Sequence, residues 1–307
     1  MYETLINLIG DLKIVGNLRS LIRLLVPRWV ILSFKELSGR PPSDKSKTDE
    51  LPEWEYRACW AASKPEIEGW NVPSIAEKQR EKWPAFLKLL DGTGPFGISH
   101  EASEDTGCNN LWAHNLIASY GYVLGLAAHR KEKISLLDWG GGIGHYYVFS
   151  KALFPQLEID YYCEDVPALC EVGRTVLPDA TFFDQPNQGF DRVYDFVLAG
   201  SSLWYAENWE ELAVKLAQST RDYLYVTRMM FIMDAGSFAA LQRPWKYGYK
   251  TEYQFWILNQ KQFVQHIEKQ GLTLVREFLF GQGPHIDGAP EQGFFKGFLF
   301  KRSSEVT

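Results

Sequence analysis

The sequence predicts an α/β protein: a doubly wound, mostly parallel seven-stranded sheet with an antiparallel C-terminal hairpin strand, preceded by an N-terminal helical extension. Three observations lead there. Five short apolar runs, at residues 134–137, 159–163, 181–183, 196–199 and 223–226, alternate with helical stretches, which is the rhythm of βαβ units. The first run ends in an acid and passes into a glycine-rich turn, Asp138-Trp139-Gly140-Gly141-Gly142-Ile143-Gly144. Two last apolar runs, 272–280 and 294–301, are joined only by turn-rich residues, so they form a hairpin and one of them must run antiparallel.

Each segment has its own reason. With 307 residues the chain accommodates one large domain and an appendage, divided on this reading into a helical extension or cap over 1–105 and a nucleotide-binding domain over 106–302. Between residues 5 and 31, Leu18, Leu21, Ile22 and Leu25 recur at helical spacing beside Arg19 and Arg23. Charges interrupt the run before the ~18 apolar residues a spanning helix needs. Two readings stay open: a helix packed on the body or on a second copy, or an interfacial helix whose Lys13, Arg19, Arg23 and Arg28 favour anionic lipid. No signal-peptide pattern is present. Residues 40–53 read as a linker. Residues 66–90 read as partly helical, broken at Pro73 and Pro84; 91–97 form a turn cluster, and Leu116, Tyr120, Val123, Leu124 and Ala127 predict a helix over 111–129.

Composition narrows the function. A net charge of −6 argues against nucleic acid as the main partner, which calls for surplus Lys and Arg. Cys59, Cys108, Cys163 and Cys170 show no CxxC pair, so no metal site is expected and reduced thiols in a cytoplasmic protein are the simplest reading. Aromatic content of 15%, with 11 Trp, fits a large core or an aromatic-lined pocket.

The glycine turn carries the chemistry. Glycine is required where φ is positive or a ligand presses on the backbone, and the succeeding helix offers unpaired N–H groups. A dinucleotide fingerprint wants a third glycine where His145 stands. The spacing Asp138, Gly140, Gly142, Gly144 fits D-x-G-x-G-x-G better. Glu164 ends the next strand, twenty positions past Gly144, where a carboxylate accepts bonds from both ribose hydroxyls; Asp165 is the neighbouring alternative. Asp184, after the third strand, is a candidate for the adenine amine or a turn former.

This loop resembles motif I of the class I S-adenosylmethionine-dependent methyltransferases. His114-Asn115, LDWGGGIGHYY, AGSSLWY (199–205), VTR (226–228) and GAPEQGFFKGFLF (288–300) further resemble a bacterial methyltransferase family associated with surface-polysaccharide and other biosynthetic gene clusters. The resemblance implies S-adenosylmethionine as cofactor, with Asp138, Gly140, Gly142, Gly144, Glu164 and Asp184 around it, and an antiparallel last strand between the fifth and sixth.

Ligands of open α/β sheets bind outside the carboxyl ends of the strands. That rule nominates Ser202, Trp204 and Tyr205 after the fourth strand, Arg228 after the fifth, and His285, Asp287 and Glu291 in the hairpin loop. His285 and His145 are the candidate bases, since imidazole titrates near neutrality; Arg228 suits an anionic acceptor, and 245–256 reads as an aromatic lid or a surface element. The expected activity is methylation of oxygen on a sugar, glycan or other hydroxylated small molecule. The alternatives are a non-catalytic cofactor-binding scaffold and an NAD-dependent oxidoreductase. Peripheral membrane contact or self-association through the N-terminal helix completes the expectations.

Overall fold

A computed structural model describes residues 51–61, 69–98 and 109–303; from Pro52 onward they belong to one compact unit, Pro52–Thr307. The expected N-terminal helix, most of the linker and Cys108 lie outside the described residues.

The α/β class is as expected, with a larger sheet. The sequence predicts seven strands; ten pair into one mixed sheet. The elements are β1 (Trp54–Arg57), α1 (Pro73–Leu90), α2 (Leu111–Ala127), β2 (Lys133–Trp139), α3 (His145–Leu153), β3 (Glu158–Glu164), α4 (Pro167–Val176), β4 (Thr181–Phe183), β5 (Tyr194–Gly200), α5 (Trp209–Gln218), β6 (Thr220–Ile232), β7 (Phe238–Gln242), β8 (Tyr253–Asn259), α6 (Gln260–Glu268), β9 (Leu272–Gln282) and β10 (Phe294–Arg302).

Strands β4, β3, β2, β5 and β6 lie side by side and parallel. β10 lies between β6 and β9, antiparallel to both. Alternation along each strand feeds two faces. Leu136, Phe196 and Leu198 pack with α1, α2, α3 and α4, whereas Leu137 and Val197 pack with α5 and α6. Helices on both faces leave the parallel strands buried on both sides, as such sheets require.

The three extra strands come from a part of the chain where no clear period marks the elements. β6 does not stop at Val226; it continues to Ile232, and its outer end pairs with β8. β8 pairs antiparallel with β7, and β7 with β1. Residues 245–256, read as a lid or surface element, are therefore a short turn leading into β8. Buried Arg243 fastens β1 to this hairpin through Glu55 (2.6 Å), Glu252 (2.9 Å) and the Pro52 carbonyl (2.9 Å).

Helix α1 also departs from expectation. Pro73 does not break it but opens it, since the missing N–H falls on a position with no intrahelical partner. Pro84 sits inside the helix with its ring exposed. Ile75, Ala76, Gln79, Trp83, Phe86 and Leu90 are buried on the opposite face, and that packing outweighs the ~3 kcal/mol an internal proline costs.

Candidate active site

The carboxyl ends of β2, β3, β5 and β6 open into a cavity of about 1610 Å³. One half of it is the glycine turn and its carboxylates. Gly140 and Gly142 have φ of +70° and +64°, a region costly for any other residue. A Cβ on Gly140 would lie 2.2 Å from Ser202 Cβ, and one on Gly142 would lie 3.3 Å from Gln79 Oε1. Only glycine lets the turn pass between β5 and α1.

Asp138 lies beneath this turn and does not line the cavity. Tyr161 Oη donates to its Oδ2 at 2.5 Å, and burial pushes its carboxyl up to about 7. Gly144 is likewise outside the lining; it starts α3. The sequence places both at the cofactor itself, and both shape the loop instead. Asp165 holds the turn from the other side, accepting from the Gly142 and Val166 amides at 2.7 Å each; burial pushes it up to about 6.

Glu164 lines the cavity at the end of β3. Its Oε1 accepts from Asn187 N (3.0 Å) and Trp139 Nε1 (3.3 Å), and its Oε2 from Gly189 N (2.6 Å). These bonds fix the carboxylate in one orientation; Oε1 already accepts twice, and Oε2, with one donor, keeps a lone pair for a ligand hydroxyl. Asp184 lines the far end, paired with Arg174 at 2.9 Å, whose hydrogen bond and charge hold it below the usual carboxylate range. Three carboxylates at this end suit a cationic ligand with a ribose.

The other half is aromatic. Trp70 stacks on Tyr253 (centroids 4.7 Å apart) and meets Tyr205 edge-on at 5.2 Å. Trp60 and Trp112 also line this chamber. Ser202 and Trp204 line the cavity, with both polar atoms already engaged: Ser202 Oγ donates to the Trp139 carbonyl (2.7 Å), and Trp204 Nε1 to the Ser201 carbonyl (3.0 Å).

Between the halves, Ser201 (φ +60°) and Arg228 (φ +59°) both adopt the left-handed conformation, and Ser201 N donates to the Thr227 carbonyl at 2.8 Å. Such strain in non-glycine residues concentrates at functional sites. It turns β6 at Arg228, which is a kink within the strand and not its end, and brings the guanidinium 5.0 Å over the Trp112 ring. Tyr146, from the first turn of α3, lines the same junction beside Gly200; burial raises its phenol, with Arg228 opposing.

The histidines separate. His145 lines the cavity, its ring met edge-on by Trp83 (5.2 Å) and Phe86 (4.8 Å) of α1. His114 is a packing residue: its Nδ1 accepts from Phe96 N at 3.1 Å. His285 is a correction. Its side chain is 72% exposed and paired with Asp287 at 2.9 Å, outside the cavity, because the hairpin loop reaches it only through Pro284. Glu291 is another. Its carboxylate accepts from the amides of Met233, Asp234 and Ala235 at 2.8–2.9 Å and so organises the turn after β6 instead of meeting an acceptor.

Sequence reasoning missed Tyr146, Gln79 and Trp70. Gln79 and Trp70 depend on how α1 and the β7–β8 hairpin fold over the strand ends, and no local pattern marks them; Tyr146 follows His145 in the first turn of α3, so the glycine turn was the signal that could have found it.

No protein-family model matches the chain, and no curated protein matches it in sequence. Among solved structures, it is similar to magnesium protoporphyrin IX methyltransferase from Synechocystis PCC 6803, with 12% identity over 75% of this chain and 98% of that chain, TM-score 0.43. It is also similar to an O-methyltransferase family protein from Burkholderia thailandensis (17% identity, 76% of this chain and 72% of that chain, TM-score 0.41). A third is 1,6-didemethyltoxoflavin-N1-methyltransferase from Burkholderia thailandensis (12%, 77% and 92%, TM-score 0.42). At these identities and scores a likeness assigns no activity.

Proposed function

We propose that the chain is a class I S-adenosylmethionine-dependent methyltransferase acting on oxygen of a sugar or other hydroxylated small molecule. One observation carries this reading: a single cavity joins a glycine-and-carboxylate half to an aromatic half across the strained pair Ser201 and Arg228. At about 1610 Å³ it exceeds the ~300–1,000 Å³ that one drug-sized ligand occupies. A cofactor and an acceptor fit together. The antiparallel β10 between β6 and β9 favours methyl transfer over hydride transfer, since this is the strand order the sequence resemblance implies.

When bound, the cofactor supplies an electrophilic methyl group on a sulfonium. Glu164 would hold the ribose, Gly140 and Gly142 would let the backbone approach the tail, and Asp184 would face the adenine end. Aromatic walls cover the apolar faces of a ring while polar groups fix its orientation. Arg228 stands at the junction to position the acceptor or bind an anionic substituent. Holding two reactants in line supplies roughly 7–11 kcal/mol of a barrier, whereas a base adds about 10²–10⁴-fold. Positioning is therefore the larger share. His145, the histidine in the cavity wall, is the candidate proton acceptor in place of His285.

The surface-polysaccharide resemblance of the motifs supports a sugar acceptor. α1 lies within the segment read as a cap, and its Gln79 and Lys82 line the cavity. Among the described residues no helix is long and apolar enough to cross a membrane; cytoplasmic residence, with membrane contact or self-association through residues 1–50, belongs to the same proposal. Calorimetric titration with S-adenosylhomocysteine and NAD side by side tests the core of it. Binding of the former alone is expected, and binding of NAD alone would replace methyl transfer with hydride transfer.

A further inference from the structure

Among the described residues, four buried side-chain polar atoms lack a hydrogen-bond partner: Glu53 Oε1, Trp70 Nε1, Gln79 Oε1 and Asp138 Oδ1. Glu53 is engaged through its other oxygen by Lys246 (2.7 Å), and Asp138 through its other oxygen by Tyr161. Carboxyls can also relieve burial by taking up a proton. A neutral amide has no such escape, and an unsatisfied buried acceptor is a standing cost. Gln79 is 5% exposed, it lines the cavity, and its Oε1 lies 3.3 Å from the point where a Cβ of Gly142 would stand. The lone acceptor is thus aimed across the middle glycine of the turn, from a helix that precedes the nucleotide-binding strands.

A carbonyl oxygen asks its ligand for an N–H or O–H donor. On the S-adenosylmethionine reading, on which this inference rests, the donors are few. The ribose hydroxyls belong at Glu164 and the adenine amine at the Asp184 end. The α-ammonium of the amino-acid tail is left, and the tail has to lie against the glycine turn. We propose that Gln79 accepts a hydrogen bond from that ammonium, so that α1 completes the cofactor site and selects for ligands carrying the amino-acid tail. The setting favours a cation: Asp165 lies on the other side of Gly142. Lys82, one turn further along α1, lines the same cavity, so the helix presents an acceptor and a cation at the i,i+3 spacing to a zwitterion.

The test is calorimetric titration of the full chain with S-adenosylhomocysteine and with 5′-methylthioadenosine, which has the same nucleoside and thioether but no amino-acid tail. Gln79→Met keeps the volume and removes the acceptor; Gln79→Glu keeps the acceptor and adds charge. The Met variant should lose about ten- to a hundredfold in S-adenosylhomocysteine affinity, as for a hydrogen bond to a charged group. Its 5′-methylthioadenosine affinity should be unchanged, and the Glu variant should bind S-adenosylhomocysteine at least as tightly as wild type. Gln79→Met binding S-adenosylhomocysteine like wild type, or losing both ligands by the same factor, overturns the proposal. Wild type binding the two ligands equally overturns it while leaving the cofactor reading intact. Wild type binding neither overturns the cofactor reading, and this proposal with it.

Discussion

Single carboxylates around the glycine turn have opposite assignments, and each makes a measurable difference. Asp138 is buried and pushed up to about 7, against ~4 in an unfolded chain. Between those values the folded state keeps a proton that the unfolded state has released, so stability falls as pH rises from about 4 to about 7. Asp138→Asn keeps an acceptor for Tyr161 and should flatten that fall, leaving the smaller slope due to Asp165, which sits at about 6. Thermal melts of both proteins across this range should converge at low pH; parallel curves would show that Asp138 ionises without cost. Glu164 faces the ligand space, and Glu164→Ala is expected to weaken S-adenosylhomocysteine binding by roughly 1.5–3 kcal/mol. For the bases, His285→Ala should leave kcat and KM unchanged, since its ring is solvated. His145→Ala should lower kcat by about 10²–10⁴-fold with cofactor affinity retained. The reverse pattern would restore His285 to the mechanism.

At the scale of elements, the glycine turn and helix α1 are mutually dependent. Gly142 has φ +64° and faces Gln79, so Gly142→Val adds backbone strain of about 1–3 kcal/mol and drives a side chain into the gap. Loss of S-adenosylhomocysteine binding with the circular dichroism spectrum kept is the expected result; retained affinity would move the cofactor elsewhere. α1 tolerates Pro84 because its apolar face is anchored on the sheet. Pro84→Ala restores a helical hydrogen bond at an exposed site and should raise Tm. A fall in Tm would mean that the Pro84 ring itself contributes to holding α1 in place.

At the scale of the whole molecule, the described residues combine an acidic, glycine-lined half and an aromatic half in one cavity. Glu164, Asp165 and Asp184 line the glycine half of the cavity, and Arg228 stands at the junction with the aromatic half. The aromatic half is assembled from segments far apart in sequence: Trp60 and Trp70 precede the parallel strands, Trp112 opens α2, and Tyr253 starts β8. Trp70→Ala should therefore spare nucleoside binding and raise KM for the acceptor, because its stacking partners Tyr253 and Tyr205 lie in the aromatic half. Steady-state kinetics on the acceptor, once found, separates these two effects.

Sequence by itself determined the parallel core, the C-terminal hairpin, the glycine turn and Glu164. Each is a local pattern: short apolar runs alternating with helical stretches, glycines at fixed spacing, and an acid at a strand end need only neighbours in the chain to be read. It also nominated Ser202, Trp204, Tyr205 and Arg228, since the ends of parallel strands share one edge of the sheet. Tertiary structure alone decided the rest. The apolar run of β6 breaks off after Val226, where a strained Arg228 interrupts its regularity, yet β10 and β8 pair with residues 229–232 beyond it. His285 and Glu291 sit in a loop whose direction is set by three backbone amides and solvent, which no spacing encodes. Gln79 and Trp70 enter the cavity only through the docking of distant segments, and contacts between residues far apart in the chain leave no periodic trace in it.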